Sequence, residues 1–285
     1  MKEKSYAKLN IALNVTNKVK PNKFHDLDML NICIDLYDII DIKFVNDHKK
    51  EILISCNNKD LSTDEDNLIY KVVEKYISQF NIDYSFKIKI KKNIPMQAGL
   101  GGGSSNAATT LNMLDKSFKT NMSFADKIKF LDSLTSDGPY FIETKPAKVK
   151  GKGNVVNYIN GRINHPILIV KPNSGCDTKT IFSLLDYSNL SHPNMYKIEK
   201  AFEKNDFDTL ANHIDNSLTD SAIKVNLDIL DTINRLRTCG FEIVNMTGSG
   251  STVFAISNRK LPYKLYKKVL NKDNYEIIKI VNQIG

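Results

Sequence analysis

The sequence predicts an α+β fold in two halves of similar size. Three observations carry that expectation. Short apolar runs alternate with polar residues at period two, other segments repeat apolar residues every four, and a glycine-rich stretch joins a strand-like run to a helix-like one. The first element covers residues 4–15. Leu9, Ile11, Leu13 and Val15 share one face there, and Lys8, Asn10, Ala12 and Asn14 share the other, the pattern of a half-buried strand. Ile40, Ile42 and Phe44 alternate with Asp41 and Lys43 in a second strand, and Ile52, Ile54 and Cys56 suggest a third. Leu68, Val72, Tyr76 and Phe80 predict a helix over 67–80 with Asp66 as its N-cap. Phe86, Ile88 and Ile90 alternate with Lys87, Lys89 and Lys91, a strand with a solvated lysine face. The glycine-rich segment follows and opens a helix at Ser104 or Ser105. Ser123 and Asp126 form a capping-box start for a helix over 124–134. Ser136-Asp137-Gly138-Pro139 is a tight turn, and a short strand is expected through Phe141. The Lys- and Gly-rich stretch 148–157 leads to a boundary near residue 160.

The second half starts with a strand at 167–170. Helices are expected over 178–186, 195–204, 206–218 and 227–238, the last with Asn226 as N-cap and Gly240 just past its end. A strand at 241–246 runs into the loop Thr247-Gly248-Ser249-Gly250-Ser251. Then come a strand at 253–256, a helix near 261–270 and a final strand at 275–281.

Composition narrows the function classes. At 285 residues, 41% hydrophobic and 25% charged, the chain can bury a sizeable core without staples. No apolar run reaches the ~18 residues of a membrane helix, and the N-terminal residues hold no signal-peptide core. Cys33, Cys56, Cys176 and Cys239 form no CxxC pair, so reduced thiols in the cytoplasm are expected. The formal net charge is +8, yet only Arg162, Arg235, Arg237 and Arg259 among 40 basic residues are arginine, and the lysines are interspersed with acids. That reading argues against nucleic acid as the main partner, and an anionic small molecule suits the charge equally well.

Chemistry concentrates in the stretch Pro95-Met96-Gln97-Ala98-Gly99-Leu100-Gly101-Gly102-Gly103-Ser104-Ser105. Its glycines let backbone approach a ligand, and the helix that follows aims free N–H groups and its dipole at the loop, which makes an anion site. Either Ser104 or Ser105 can add a hydroxyl to a metal. The stretch is neither a P-loop, which needs Gly-Lys-Ser/Thr, nor a dinucleotide fingerprint, since Ser104 stands where the third glycine belongs. The 247–251 loop either closes over the same phosphates or over a substrate.

Three segments in order, Tyr6-Ala7-Lys8-Leu9-Asn10-Ile11-Ala12-Leu13, the 95–105 stretch and Met246-Thr247-Gly248-Ser249-Gly250-Ser251-Thr252-Val253-Phe254, resemble the three motifs of the galactokinase–homoserine kinase–mevalonate kinase–phosphomevalonate kinase (GHMP) superfamily. Within it, Phe24-His25, the Leu36-Tyr37-Asp38 run and Ser136-Asp137-Gly138-Pro139-Tyr140-Phe141 are similar to the branch that serves the non-mevalonate isoprenoid pathway. The resemblance implies two domains, 1–158 of the ribosomal-protein S5 domain 2 type and 159–285 of the ferredoxin-like type. It also implies ATP and Mg²⁺, with the γ-phosphate passing to a tertiary hydroxyl of a cytidylyl-linked methylerythritol. On this resemblance Asp137 is the catalytic base and Lys8 its partner, stabilising the developing alkoxide. Phe24 and His25 hold the cytosine, and Asn10, Thr178, Thr247 and Gly248 contact substrate. Thr178 reads equally as a helix N-cap. The sequence departs from the family at Asn22-Lys23-Phe24-His25, where Asp-Gly-Tyr-His is usual, and at Gly138, where valine is usual. Two other readings are a kinase of the same fold with a mevalonate- or homoserine-class acceptor, and a non-catalytic RNA-binding protein.

Overall fold

The computed structural model describes residues 1–17, 25–47 and 49–285. The chain opens with two long antiparallel strands, β1 (Lys2–Asn17) and β2 (Asp26–Val45). Their register shifts between Asn10 and Ala12, with Ile11 as the extra residue. One inserted residue reverses the in–out alternation beyond it. Leu9, Ile11 and Ala12 therefore pack in one apolar cluster and Leu13 and Val15 in the other, where strict period two placed Leu9, Ile11, Leu13 and Val15 together.

Next come β3 (Ile52–Cys56), α1 (Leu68–Phe80) and β4 (Ser85–Lys91). The N-cap of α1 is Asn67, not Asp66: its Oδ1 accepts from the Ile69 N–H at 2.8 Å. Helix α2 (Gly102–Phe118) starts two residues before Ser104, because Gly101 takes the left-handed conformation that ends the loop. Helix α3 (Phe124–Asp132) has the expected Ser123–Asp126 capping box. The expected strand through Phe141 is instead a 3₁₀ turn, Gly138–Ile142. Pro139 has no N–H to give a ladder, and Tyr140 and Phe141 both turn inward. The Lys- and Gly-rich stretch is a hairpin of β5 (Ala147–Gly151) and β6 (Val155–Tyr158). Because β2 is 20 residues long, different partners line its length, giving the order β3-β4-β2-β5-β6 with β1 also on β2.

The second sheet begins with β7 (Ile167–Pro172). Helix α4 (Thr178–Ser183) is shorter than expected and is capped by Asp177, which accepts from the Thr180 N–H at 2.8 Å; Thr178 is the first helical residue. After α5 (Met195–Lys204), the single helix expected over 206–218 breaks into α6 (Phe207–His213) and α7 (Thr219–Val225). The break is tertiary in origin. Leu13 donates its N–H to the Asp215 carbonyl (3.1 Å) and accepts from the Ser217 N–H (2.9 Å), holding 215–217 extended beside β1. Then follow α8 (Leu227–Thr238), capped by Asn226, β8 (Ile243–Met246), β9 (Val253–Ile256), α9 (Leu261–Val269) and β10 (Tyr275–Val281). The order β10-β7-β9-β8, all antiparallel, puts the first strand between the fourth and third, the ferredoxin-like arrangement. A last short strand, β11 (Gln283–Ile284), returns to β2 of the first sheet.

Two apolar clusters hold these parts. In one, Ile40, Ile42, Ile88 and Ile90 of the first sheet meet Val72, Tyr76 and Leu111 of the helices. In the other, Leu9, Ile32 and Ile34 meet Ile167, Ile169 and Phe254 of the second sheet. All four cysteines are free. Among the described residues no helix is long and apolar enough to cross a membrane.

Candidate active site

A cleft of about 1320 Å³ is lined by residues of both halves. Its glycine-rich wall is set from behind by Asp38, which is fully buried. That carboxylate accepts from the Asn93 N–H (2.7 Å), the Ile94 N–H (2.8 Å) and the Lys92 ammonium (2.5 Å), so the run-in to Pro95 has one course. Gly99 then passes so close to the 247–251 loop that a Cβ would lie 2.2 Å from the Thr247 carbonyl oxygen, and its φ is +69°. Only glycine fits there. The first N–H groups of α2 are left without intrahelical partners, and Gly101, Gly102, Gly103 and Ser104 line the cleft. With the helix dipole they make a place for phosphate.

Pro95, Met96, Gln97, Ala98 and Leu100 line the cleft as well. The two serines divide. Ser104 lines the cleft with its hydroxyl 2.6 Å from that of Thr135. Ser105 is buried, its hydroxyl 2.8 Å from that of Ser5.

Lys8 lies under this loop, 4% exposed. Its backbone N–H donates to the Leu100 carbonyl at 3.0 Å, and its ammonium donates to Asn10 Oδ1. The Asn10 amide donates in turn to Asn31 Oδ1 at 2.6 Å. Burial pushes the Lys8 pKa below the usual lysine value, and the charge of Asp137 opposes that shift. Asp137 stands at the start of the 3₁₀ turn and lines the cleft with Lys8. The turn is pinned by Tyr140, whose hydroxyl is 3.3 Å from Cys33 Sγ and whose carbonyl accepts from Tyr158 Oη at 3.3 Å. Tertiary structure thus joins a strand lysine and a turn aspartate that are 129 positions apart in sequence.

The 247–251 loop closes onto the first. A Cβ on Gly248 would meet Gly99 Cα at 3.0 Å and Lys8 Nζ at 3.3 Å. Asn216 donates to both the Met246 and Gly248 carbonyls at 2.9 Å, and Thr178 Oγ1 is 2.7 Å from Ser249 Oγ. Gly248, Asn10 and Thr178 line the cleft, whereas Thr247 is fully buried and accepts from the Asn10 N–H at 2.9 Å. Thr247 thus braces the site from behind.

His25 brings an aromatic group to the same cleft. Its ring stacks on Phe182 with centroids 4.7 Å apart, and its Nδ1 is 2.5 Å from Tyr187 Oη. Partial burial lowers its pKa, which favours the neutral imidazole. Phe24 lies outside the described residues. Sequence reasoning missed Phe182, Tyr187, Met29 and Lys92 at this cleft. Phe182 alone left a signal, being one helical turn after Thr178.

Among the described residues no group of three or more His, Cys, Asp or Glu side chains could cage a metal. The cleft does present the Ser104 hydroxyl with the Asp66 and Asp137 carboxylates. Such sparse oxygen donors fit Mg²⁺, which usually takes one or two protein groups and the oxygens of its phosphates.

Residues 67–139 match the family of GHMP kinases N terminal domain, and residues 198–276 match GHMP kinases C terminal. A 4-diphosphocytidyl-2-C-methyl-D-erythritol kinase of Clostridium perfringens (strain 13 / Type A) is 36% identical over 287 residues, covering 100% of this chain and 99% of the relative. The chain belongs to that kinase family. A crystal structure of 4-(cytidine 5'-diphospho)-2C-methyl-D-erythritol kinase superposes with a TM-score of 0.79 at 20% identity over 99% of both chains. A homoserine kinase from Cytophaga hutchinsonii superposes with a TM-score of 0.74 at 16% identity, over 100% of this chain and 96% of that one. At those identities the superpositions speak for the fold.

Proposed function

We propose that the protein transfers the γ-phosphate of ATP to the tertiary 2-hydroxyl of 4-diphosphocytidyl-2-C-methyl-D-erythritol. The observation that carries this reading is one cleft that holds the N-terminus of α2, the Lys8–Asp137 pair and the His25–Phe182 stack together. Backbone N–H groups at Gly102 and Gly103 receive the phosphates. Leu61, Leu68 and Met96 give the nucleotide base an apolar wall. His25, Phe182 and Tyr187, with Phe24, receive the cytosine by stacking and hydrogen bonds.

Asp137 accepts the hydroxyl proton as that oxygen attacks the γ-phosphorus, and ADP departs. The Lys8 ammonium faces the charge that gathers on the acceptor oxygen, and Asn10 holds the ammonium there. Mg²⁺, when bound, neutralises phosphate charge; the Ser104 hydroxyl would hold it and Ser105 would not. The reading also carries a cytoplasmic location and a division at 158/159. Support comes from the family membership and from Lys8, Asn10, His25, Asp137, Thr178 and Gly248 lining one cleft with the 95–104 loop.

An ADP-release assay with Mg-ATP tests this on 4-diphosphocytidyl-2-C-methyl-D-erythritol, mevalonate and homoserine in parallel. Turnover on the cytidylyl substrate alone is expected. Turnover on either other acceptor would discard the cytidine pocket.

A further inference from the structure

The lysines that look dispersed in the sequence are not dispersed on the surface. Strand register brings six of them to one open face of the first sheet. Lys43 stands directly opposite Lys87, Asp41 lies between Lys89 and Lys2, and Ile39 lies between Lys91 and Lys4. The alternate residues Ile40, Ile42, Ile88 and Ile90 are buried beneath the helices, so these six point the other way, and all are exposed.

Ion pairs do not account for them. Elsewhere Lys127, Lys148 and Lys152 hold carboxylates at 2.8, 2.6 and 2.8 Å. Among the described residues none of the six holds a carboxylate within 4 Å, and Asp41, the acid in their midst, lies 3.8 Å from the N-terminal ammonium. Like charges directly opposite one another weaken a sheet, so Lys43 against Lys87 is an arrangement that stability alone does not favour.

The face is also shaped. Lys2, Lys89 and Lys91 line a groove of about 400 Å³ with Ser55 and Asn57. At its margin the Lys4 ammonium lies 4.4 Å from the Tyr37 ring centroid, and Tyr6 meets Tyr37 edge to face at 5.5 Å. Rows of cations tracking a groove, with tyrosine rings beside them, are the means by which single-stranded nucleic acid is held without sequence preference.

We propose that this face binds single-stranded RNA through its phosphodiester backbone, apart from the catalytic cleft. A flat anionic membrane fits less well, since Lys2, Lys89 and Lys91 line a concave groove.

The test uses the full chain and a fluorescein-labelled 20-nucleotide oligouridylate. Anisotropy titrations across a salt series should give an affinity that falls with salt along a log–log slope of up to about −4, from about −0.7 per neutralised phosphate. The triple variant Lys43→Gln/Lys87→Gln/Lys89→Gln should flatten that slope by about 2. Lys200→Gln/Lys264→Gln/Lys267→Gln, with the same charge change in the second half, should leave it as it was. Excess Mg-ATP should not displace the RNA. ADP release by each variant, or its thermal melting if turnover is lacking, reports that the fold is intact. Absence of binding, equal loss in both triples, or displacement by ATP would overturn the proposal. So would tighter binding to phosphatidylcholine vesicles containing one-third phosphatidylserine than to the RNA.

Discussion

Lys8 and Lys89 belong to the same sheet and meet opposite environments. Lys8 is enclosed by Gly101, Gly248 and the Leu100 carbonyl, with its ammonium on Asn10 and the charge of Asp137 nearby. Lys89 stands in water beside other lysines. The difference teaches that burial, not residue type, decides what a lysine can do. An enclosed ammonium acts in a medium where its charge is felt strongly, and it has lost hydration to get there. An open one keeps its hydration and acts only through long-range, salt-screened attraction.

Removing the partner charge is the most severe way to break that contrast. Asp137→Ala should lower kcat about 10³-fold or more while ATP affinity, read by calorimetry, stays close to wild type. It should also lower the Lys8 pKa further, because Asp137 is the charge that opposes desolvation there. A variant with near-normal kcat would remove Asp137 from the role of base.

Lys8→Met takes the cation out of the buried site. A kcat loss of about 10²-fold is expected, together with a gain in unfolding free energy of about 1 kcal/mol at neutral pH, since a desolvated charge is replaced by an apolar chain. The pH dependence has a definite sign. The folded pKa of Lys8 is lowered, so the unfolded chain binds more protons between that value and 10.5. Wild-type stability should therefore rise with pH through that window, and Lys8→Met should lack the rise. Urea melts across pH 8–11 measure both; a less stable Lys8→Met protein would refute the desolvation account.

A gentler change sharpens the comparison by making the inner site more like the outer face. In Gly99→Ala the new methyl meets the Thr247 carbonyl at 2.2 Å and must part the two loops above Lys8. Stability should fall by about 2 kcal/mol, and the alkaline limb of kcat should move up toward the ordinary lysine value as water reaches the ammonium. An unmoved limb would mean that the loop contact does not shield Lys8.

Much of the fold was legible because local patterns and tertiary demands agreed. The Ser123 capping box, the Asn226 cap, α5 and β10 stand where the sequence placed them. Local capping preference alone did not separate Asp66 from Asn67, or Thr178 from Asp177. The break between α6 and α7 was hidden because its cause is Leu13, about 200 positions away. Within the site, the 95–105 loop announced itself by composition, and Lys8 and Asp137 through the family motifs. Tyr187 did not, and Phe182 only by its place one helical turn after Thr178, since an aromatic residue in a helix or a loop looks the same whether it packs or faces a ligand.

By itself the sequence determined the glycine-rich loop, the α+β class and the family, because glycine runs and apolar periodicity are local consequences of backbone geometry and solvent. Tertiary structure decided that Lys8 is buried, which serine faces the cleft and which lysines gather on one face. The serines are sorted by where α2 starts, at Gly102, and the lysines by strand register, which is fixed only when whole strands pair and bury their apolar sides together.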